Sequence, residues 1–202
     1  MKMKLFSSKT SPFARKVRVA IFELGLDGLV DEVFTDWSAN EASFLAANPL
    51  AQIPALITEK GQPLQGSDLI IEYLLTRGGS LTSLPRGSAR WPRLSRKNLA
   101  DGVLEAAVSI LLESRRPDGE RSAAWIARKT DAIQRSLDAL EQDADQLLTD
   151  TPSLVELSVG CALGYLDFRF AALDWQRNRP ALASWYASFV ERDSMVKTAP
   201  TL

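Results

Sequence analysis

No histidine occurs among the 202 residues, and that absence alone removes much hydrolytic and metal chemistry. A Ser-His-Asp relay, His-ligated zinc and imidazole general-base catalysis are all excluded within this chain. Cysteine is nearly absent as well: Cys161 stands alone, so an internal disulfide, a Cys-x-x-Cys redox pair and a multi-thiolate metal site are excluded, and no metal centre is expected. Its setting, Val159-Gly160-Cys161-Ala162-Leu163, is apolar and helical in pattern, which predicts an inert thiol packed as a small hydrophobe. Thiol chemistry, if there is any, is then expected to enter with a substrate or cofactor. Neither sign of charge dominates: 24 Lys and Arg face 25 Asp and Glu. That balance gives no electrostatic reason to expect nucleic acid or an anionic membrane as partner. The chain also lacks any run of about 18 apolar residues, and its first strand comes too early for a signal peptide, so a cytoplasmic location is expected.

What is present is an ordinary globular composition, 46% hydrophobic and 24% charged, on a chain long enough to bury a real core. The most informative stretch is Ser11-Pro12-Phe13-Ala14-Arg15-Lys16-Val17, directly after the strand-like run Met3-Lys4-Leu5-Phe6. Serine is favoured just before a helix, and proline in its first turn, where the missing N–H bonds nothing anyway. Phe13, Val17, Ala20, Ile21 and Leu24 then form one apolar stripe, while Arg15, Lys16, Arg18 and Glu23 are expected to face water. Gly25 stops the helix. An exposed helix N-terminus carries unpaired N–H groups and about half a unit of positive charge, so an anion is stabilised beside Ser11.

The rest of the first part alternates in type. A second strand is expected over Leu29 to Thr35 and a short helix over Asn40 to Ala47. Two short strands, Ala55 to Thr58 and Gln62 to Gln65, join around Lys60-Gly61. Ser67 is expected to cap a helix carrying Ile70, Ile71 and Leu74 that ends at Gly78-Gly79. The order βαβαββα describes an α/β unit of about 78 residues with a mixed sheet. A segment rich in Gly, Ser, Pro and Arg follows, and beyond it the pattern is helical throughout. Leu104, Ala107, Val108, Leu111 and Leu112 form one stripe; Ile133, Leu137, Leu140, Ala144 and Leu147 form another. Ser153-x-x-Glu156 is a capping box, and Arg179-Pro180 opens what reads as the last helix. Arg86, Arg90, Arg93 and Lys97 make one basic stripe if their helix starts early enough, read as a solvated face in preference to a cleft that attracts anions. Trp91, Trp125, Trp175 and Trp185, with Phe168 and Phe170, are expected to be mostly core.

With these elements in this order, the Ser-Pro-Phe-Ala-Arg-Lys-Val segment, Asn-Pro-Leu-Ala-Gln-Ile-Pro-Ala-Leu at 48–56 and Gly-Ser-Asp-Leu-Ile-Ile-Glu-Tyr-Leu at 66–74 resemble the cytosolic glutathione S-transferase family over essentially the whole chain. The segments at 99–106 and 161–169 are most similar to its small bacterial, serine-type, YibF-like members. The resemblance implies a thioredoxin-like glutathione-binding domain at 1–78, a linker at 79–88 and an all-helical domain at 89–202. It also implies glutathione as co-substrate with no other cofactor, a small apolar electrophile, and a homodimer pairing the sheet domain of one chain with the helical domain of the other. The activity implied is transfer of an alkyl or aryl group to the glutathione sulfur. A non-catalytic ligand-binding or regulatory protein on the same fold remains the alternative. A cysteine-dependent thiol oxidoreductase is disfavoured, because Ser11 holds the first-helix position.

Residue by residue, the resemblance assigns Ser11 as the donor that stabilises the glutathione thiolate, with Phe13 in the same turn. Ile53-Pro54 fits a cis bond that exposes the Ile53 backbone to the cysteinyl part of the tripeptide like an added strand. Gln52 is placed at the cysteinyl-glycine end. Ser67, with the amides of its helix start, is placed on the γ-glutamyl carboxylate. Gly66 stands where the family carries an acid, which removes the expected partner of the γ-glutamyl amine. Asp101, reaching across a dimer interface, is the better replacement than Asp68.

Overall fold

A computed structural model describes residues 2–36, 39, 41–79 and 81–201. The contacts divide the chain into two compact units. One comprises residues 1–83, 151–157 and 191–202; the other comprises residues 84–150 and 158–190. Residues 151–157 and 191–202 thus group with the N-terminal segment, an association that chain order does not reveal.

In the first unit, β1 (Met3–Ser7), α1 (Pro12–Glu23), β2 (Val30–Phe34), α2 (Ala42–Ala47), β3 (Ala55–Ile57), β4 (Pro63–Gln65) and α3 (Ser67–Leu75) follow the βαβαββα order of a thioredoxin-like domain. The strands form one mixed sheet in the order β2-β1-β3-β4. β1 and β2 are parallel, with Ser7 opposite Phe34; β3 is antiparallel to both β1 and β4, with Ala55 opposite Phe6 and Gln65. The alternation in β1 is incomplete: Met3, Leu5, Phe6 and Ser7 are all buried, as in a strand covered on both faces. Phe6, Phe44, Ala47 and Ala55 form a buried cluster against which Val33, Ala51, Ile53 and Ile57 pack. The hairpin turns at Gly61, whose φ of 81° suits glycine. The helix expected from Asn40 begins at Ala42, and Asn40 itself lies outside the described residues. The strand expected from Leu29 begins at Val30, because Asp27–Leu29 form a 3-10 turn.

The second unit is helical. It contains α4 (Arg90–Ser114), α5 (Ala123–Gln142), most of α6 (Leu154–Arg169) and α7 (Pro180–Phe189). Ile133, Leu137 and Leu140 of α5 are buried, and the stripe continues past the helix end through Ala144 and Leu147 in a 3-10 turn. The capping box at the start of α6 forms: Glu156 accepts from the Ser153 N–H and hydroxyl, both at 2.7 Å. α7 is not the last helix, since α8 (Asp193–Lys197) follows and belongs to the first unit. Two further expectations fail here. Arg86 precedes the 3-10 turn at Gly87–Ala89 and lies outside α4, which breaks the basic stripe. Trp91 is 66% exposed, because it sits in the first turn of α4 away from the packed face.

Candidate functional site

The strand directions determine where the sequence-predicted residues meet. With β1 and β2 ending together, β3 starting beside the end of β1, and β4 ending beside the start of β3, one edge of the sheet gathers four chain segments. Continuing the register by one row aligns Phe34, Ser7, Pro54 and Gly66, and the Gly66 N–H accordingly donates to the Pro54 carbonyl at 3.3 Å. The Ser8–Ser11 loop, the Gln52–Pro54 segment and the start of α3 are therefore neighbours on this edge. Asp101 lies on α4 in the second unit, where it is ion-paired with Lys97 at 2.5 Å.

Ser11 is the N-cap of α1, and its Oγ accepts from the Ala14 N–H at 3.2 Å. The Ser11 N–H in turn donates to the Ser8 Oγ at 3.2 Å, which folds the loop back on itself. Capping uses the hydroxyl as an acceptor only, so its hydrogen remains available to an anion. Of the first-turn amides, Pro12 has no N–H, Ala14 serves the cap, and Arg15 donates to the Ser11 carbonyl at 2.9 Å. The Phe13 N–H is left without an intrahelical acceptor beside Ser11.

The Ile53-Pro54 bond is cis, as expected. The segment before it is tied down: Asn48 Nδ2 donates to the Gln52 carbonyl at 2.6 Å, and the Leu50 N–H donates to Asn48 Oδ1 at 3.1 Å. Gln65 Nε2 donates to the Ala47 carbonyl at 2.9 Å, which clamps β4 to the same loop. Ile53 packs its side chain on the Phe6 cluster and makes no backbone hydrogen bond among the described residues. It therefore presents an unpaired edge suited to a short added strand. The Gln52 side chain is exposed.

At α3 the expected cap is corrected. Gly66 is the N-cap, with φ 82°, and Ser67 is the first helical residue. A glycine cap offers no side-chain oxygen to the helix amides. Ser67 is itself buried.

Arg15 and Lys16, expected in water, are 4% and 1% exposed. Lys16 Nζ is 2.7 Å from Asp68 Oδ1, which links the first turns of the two helices that frame the edge. Arg15 donates to the Met195 carbonyl at 3.1 Å and holds α8 against α1. Glu23 at the far end of α1 receives two hydrogen bonds from Arg192, each 2.8 Å, and one from Ser194. Burial alone pushes the Glu23 carboxyl up, but the bonds from Arg192 and Ser194 outweigh it and hold the group below its ordinary range. Sequence reasoning missed all three contacts, because the partners lie 52 to 180 residues away. Cys161 is fully buried in α6.

Family models agree with this architecture. Residues 10–77 match the glutathione S-transferase N-terminal domain, and residues 123–188 match the glutathione S-transferase C-terminal domain. The chain belongs to the glutathione S-transferase family. It is 34% identical over 202 residues to the GST-like protein YibF of Escherichia coli K12, covering 98% of each chain. A glutathione transferase family member from Pseudomonas fluorescens Pf-5, solved with bound glutathione, superposes with a TM-score of 0.92 at 37% identity over the whole of both chains. A glutathione S-transferase from Methylobacillus flagellatus KT, also solved with glutathione, gives 0.90 at 38% identity over 99% of this chain and 100% of that one. Among the described residues no helix is long and apolar enough to cross a membrane, and no group of His, Cys, Asp and Glu has the makings of a metal site.

Proposed function

We propose that this transferase-family chain binds glutathione along the sheet edge and uses Ser11 to hold its sulfur as a thiolate for attack on a small apolar electrophile or a peroxide. The observation that carries the reading is the convergence of Ser11, the Ile53-Pro54 bend and the α3 start on one edge, with two helix N-termini framing it. In the substitution reaction the sulfur lone pair forms the new bond to carbon, and the leaving group departs with its electrons. No protein base is needed if the thiol ionises on binding.

The magnitudes suffice. An unperturbed thiol has a pKa near 8.5, and lowering it by about two units takes roughly 2.7 kcal/mol of preference for the anion. One hydrogen bond from a neutral donor to a charged acceptor contributes about 1.5–3 kcal/mol, and a helix N-terminus adds about 0.3–1. Ser11 and the Phe13 amide supply both at α1. The Ile53 backbone pairs with the cysteinyl residue, with Pro54 shaping the bend and the Gln52 side chain reaching the cysteinyl-glycine end. The amides that follow Gly66, together with the Ser67 hydroxyl, take the γ-glutamyl carboxylate. Asp101 of a second copy takes the γ-glutamyl ammonium in a homodimer. Residues 1–78 act as the glutathione-binding domain and 79–88 as the linker; 89–202, apart from the 151–157 and 191–202 segments that group with the first unit, act as the helical domain that supplies the electrophile site. A cytoplasmic detoxification role is the setting that fits this chemistry.

One observation favours a non-catalytic ligand-binding protein instead: the α3 cap is a glycine with no carboxylate to offer the γ-glutamyl amine, and Asp68 is engaged by Lys16. Calorimetry with glutathione and a conjugation assay with a model aryl halide separate the two. Binding with turnover supports the transferase, and binding without turnover supports the carrier. Absence of binding at millimolar glutathione removes the glutathione reading.

A further inference from the structure

We propose that Arg115, Tyr165 and Arg169 of the helical unit form a site for the carboxylate of a small aromatic acid, which makes the electrophile of the reaction proposed above an anionic one; this second half of the inference rests on the transferase reading. α4 ends at Arg115, and Arg169 is the last residue of α6. Tyr165 lies four residues before Arg169, on the same face of α6. All three belong to the second compact unit.

Each group arrives without a partner. Among the described residues neither arginine forms an ion pair or a side-chain hydrogen bond, and Arg169 Nε is buried with nothing to receive its hydrogen. The nearest carboxylates in sequence are taken: Glu113 accepts from the Ser122 N–H at 2.8 Å, and Asp167 from the Trp175 indole at 2.7 Å. A cation at a helix C-terminus is favoured by the dipole, but an arginine serving only as a cap would donate to the last carbonyls, and these two do not. The Arg169 guanidinium lies over the Phe168 ring instead, 4.2 Å from its centroid, which steadies it and leaves its charge uncompensated. Tyr165 is 4% exposed, and its hydroxyl has no hydrogen-bond partner among the described residues. Burial pushes that hydroxyl up against the opposing pull of Arg169 and Arg115, so near neutral pH it keeps its proton and donates. Two uncompensated cations and a protonated phenol lack only an acceptor. A carboxylate offers about four lone-pair sites on two oxygens, enough for both guanidiniums and the hydroxyl at once. The half-buried rings of Phe168 and Phe170, the latter edge-on to Tyr165 with centroids 6.3 Å apart, border the group and suit an aromatic body on the acid.

The test titrates the glutathione-loaded protein calorimetrically with meta-nitrobenzoate and with meta-nitrobenzamide, its uncharged counterpart, in the parent and in Arg115→Gln, Tyr165→Phe and Arg169→Gln. The parent is expected to prefer the acid about tenfold at low salt, the low end for a charge-assisted hydrogen bond because Arg115 is exposed, and to lose part of that preference as salt rises. Arg169→Gln and Tyr165→Phe, the latter keeping the buried ring, are each expected to bring the preference to about threefold or below. A parent that binds the two ligands alike overturns the inference, as do variants that keep the preference or that lose affinity for both ligands in equal measure. Inorganic phosphate displacing the acid at equal concentration overturns the aromatic part of the assignment. Turnover is read separately with para-chloro-meta-nitrobenzoate and its amide, each rate divided by the rate without protein. Faster consumption of the amide overturns the anionic electrophile; a parent that prefers the acid in binding and consumes neither aryl chloride overturns the transferase reading and leaves the carboxylate site standing.

Discussion

Ser11 holds two roles that substitution can separate. As N-cap it accepts from the Ala14 N–H at 3.2 Å, and as donor it offers its hydrogen to the thiolate. Ser11→Ala removes both. Loss of the cap costs about 1 kcal/mol of stability, which in a chain of this size lowers the thermal midpoint by about 2–4 °C. Loss of the donor costs the thiolate about 1.5–3 kcal/mol, so the pKa of bound glutathione is expected to rise by about one to two units. Conjugation near neutral pH then falls about ten- to a hundredfold if thiolate formation limits it. Ser11→Asp keeps a good capping oxygen but sets a carboxylate against the sulfur. Its midpoint is expected to stay near that of the parent while its activity drops below that of Ser11→Ala. Thermal melts give the first quantity, and the ultraviolet absorbance of the thiolate, followed against pH with saturating glutathione, gives the second. A Ser11→Ala protein whose bound thiol titrates as in the parent refutes the donor role.

Two other outcomes follow from the buried ion pairs of the first unit. Glu23 has a folded pKa below its unfolded value, so its contribution is fully present above the unfolded value, near 4.3, and is lost as pH falls through the folded one. Glu23→Gln is therefore expected to destabilise by about 1–2 kcal/mol at pH 7. The gap to the parent should close in acid, checked by urea unfolding at both pH values; a gap that persists there contradicts the account. Asp68→Ala leaves the Lys16 ammonium, 1% exposed, without its carboxylate, whereas Lys16→Met leaves a carboxylate that is 46% exposed and can be hydrated. The first is expected to cost about 3 kcal/mol and the second about 1 or less in denaturant melts; the reverse order contradicts the burial argument.

How much of this was legible in the sequence depended on the range of the physics involved. Local rules worked where the partners are local. Pro12 after Ser11, the α5 stripe and the Ser153-x-x-Glu156 box all formed, because caps and helical periodicity are settled within one or two turns. They failed where a distant segment decides. A helical wheel sends Arg15 and Lys16 to solvent, but α8 and α3 cover that side of α1 and supply Met195 O and Asp68. Ser67 looked like a cap, yet the sharp turn out of β4 needs positive φ, which Gly66 adopts, and that shifts the helix start by one residue. α8 was missed because five residues are too few to show a period. The cis bond at Ile53-Pro54 came from the family resemblance, since no local signal distinguishes it from an ordinary X-Pro loop.

The central claim is that the hydroxyl at the β1–α1 junction holds the sulfur of glutathione. A crystal structure of this protein with glutathione tests it most directly. The account expects the sulfur within hydrogen-bonding reach of Ser11 Oγ, with the γ-glutamyl carboxylate on the first amides of α3. A tripeptide bound with its sulfur turned away from Ser11 contradicts it.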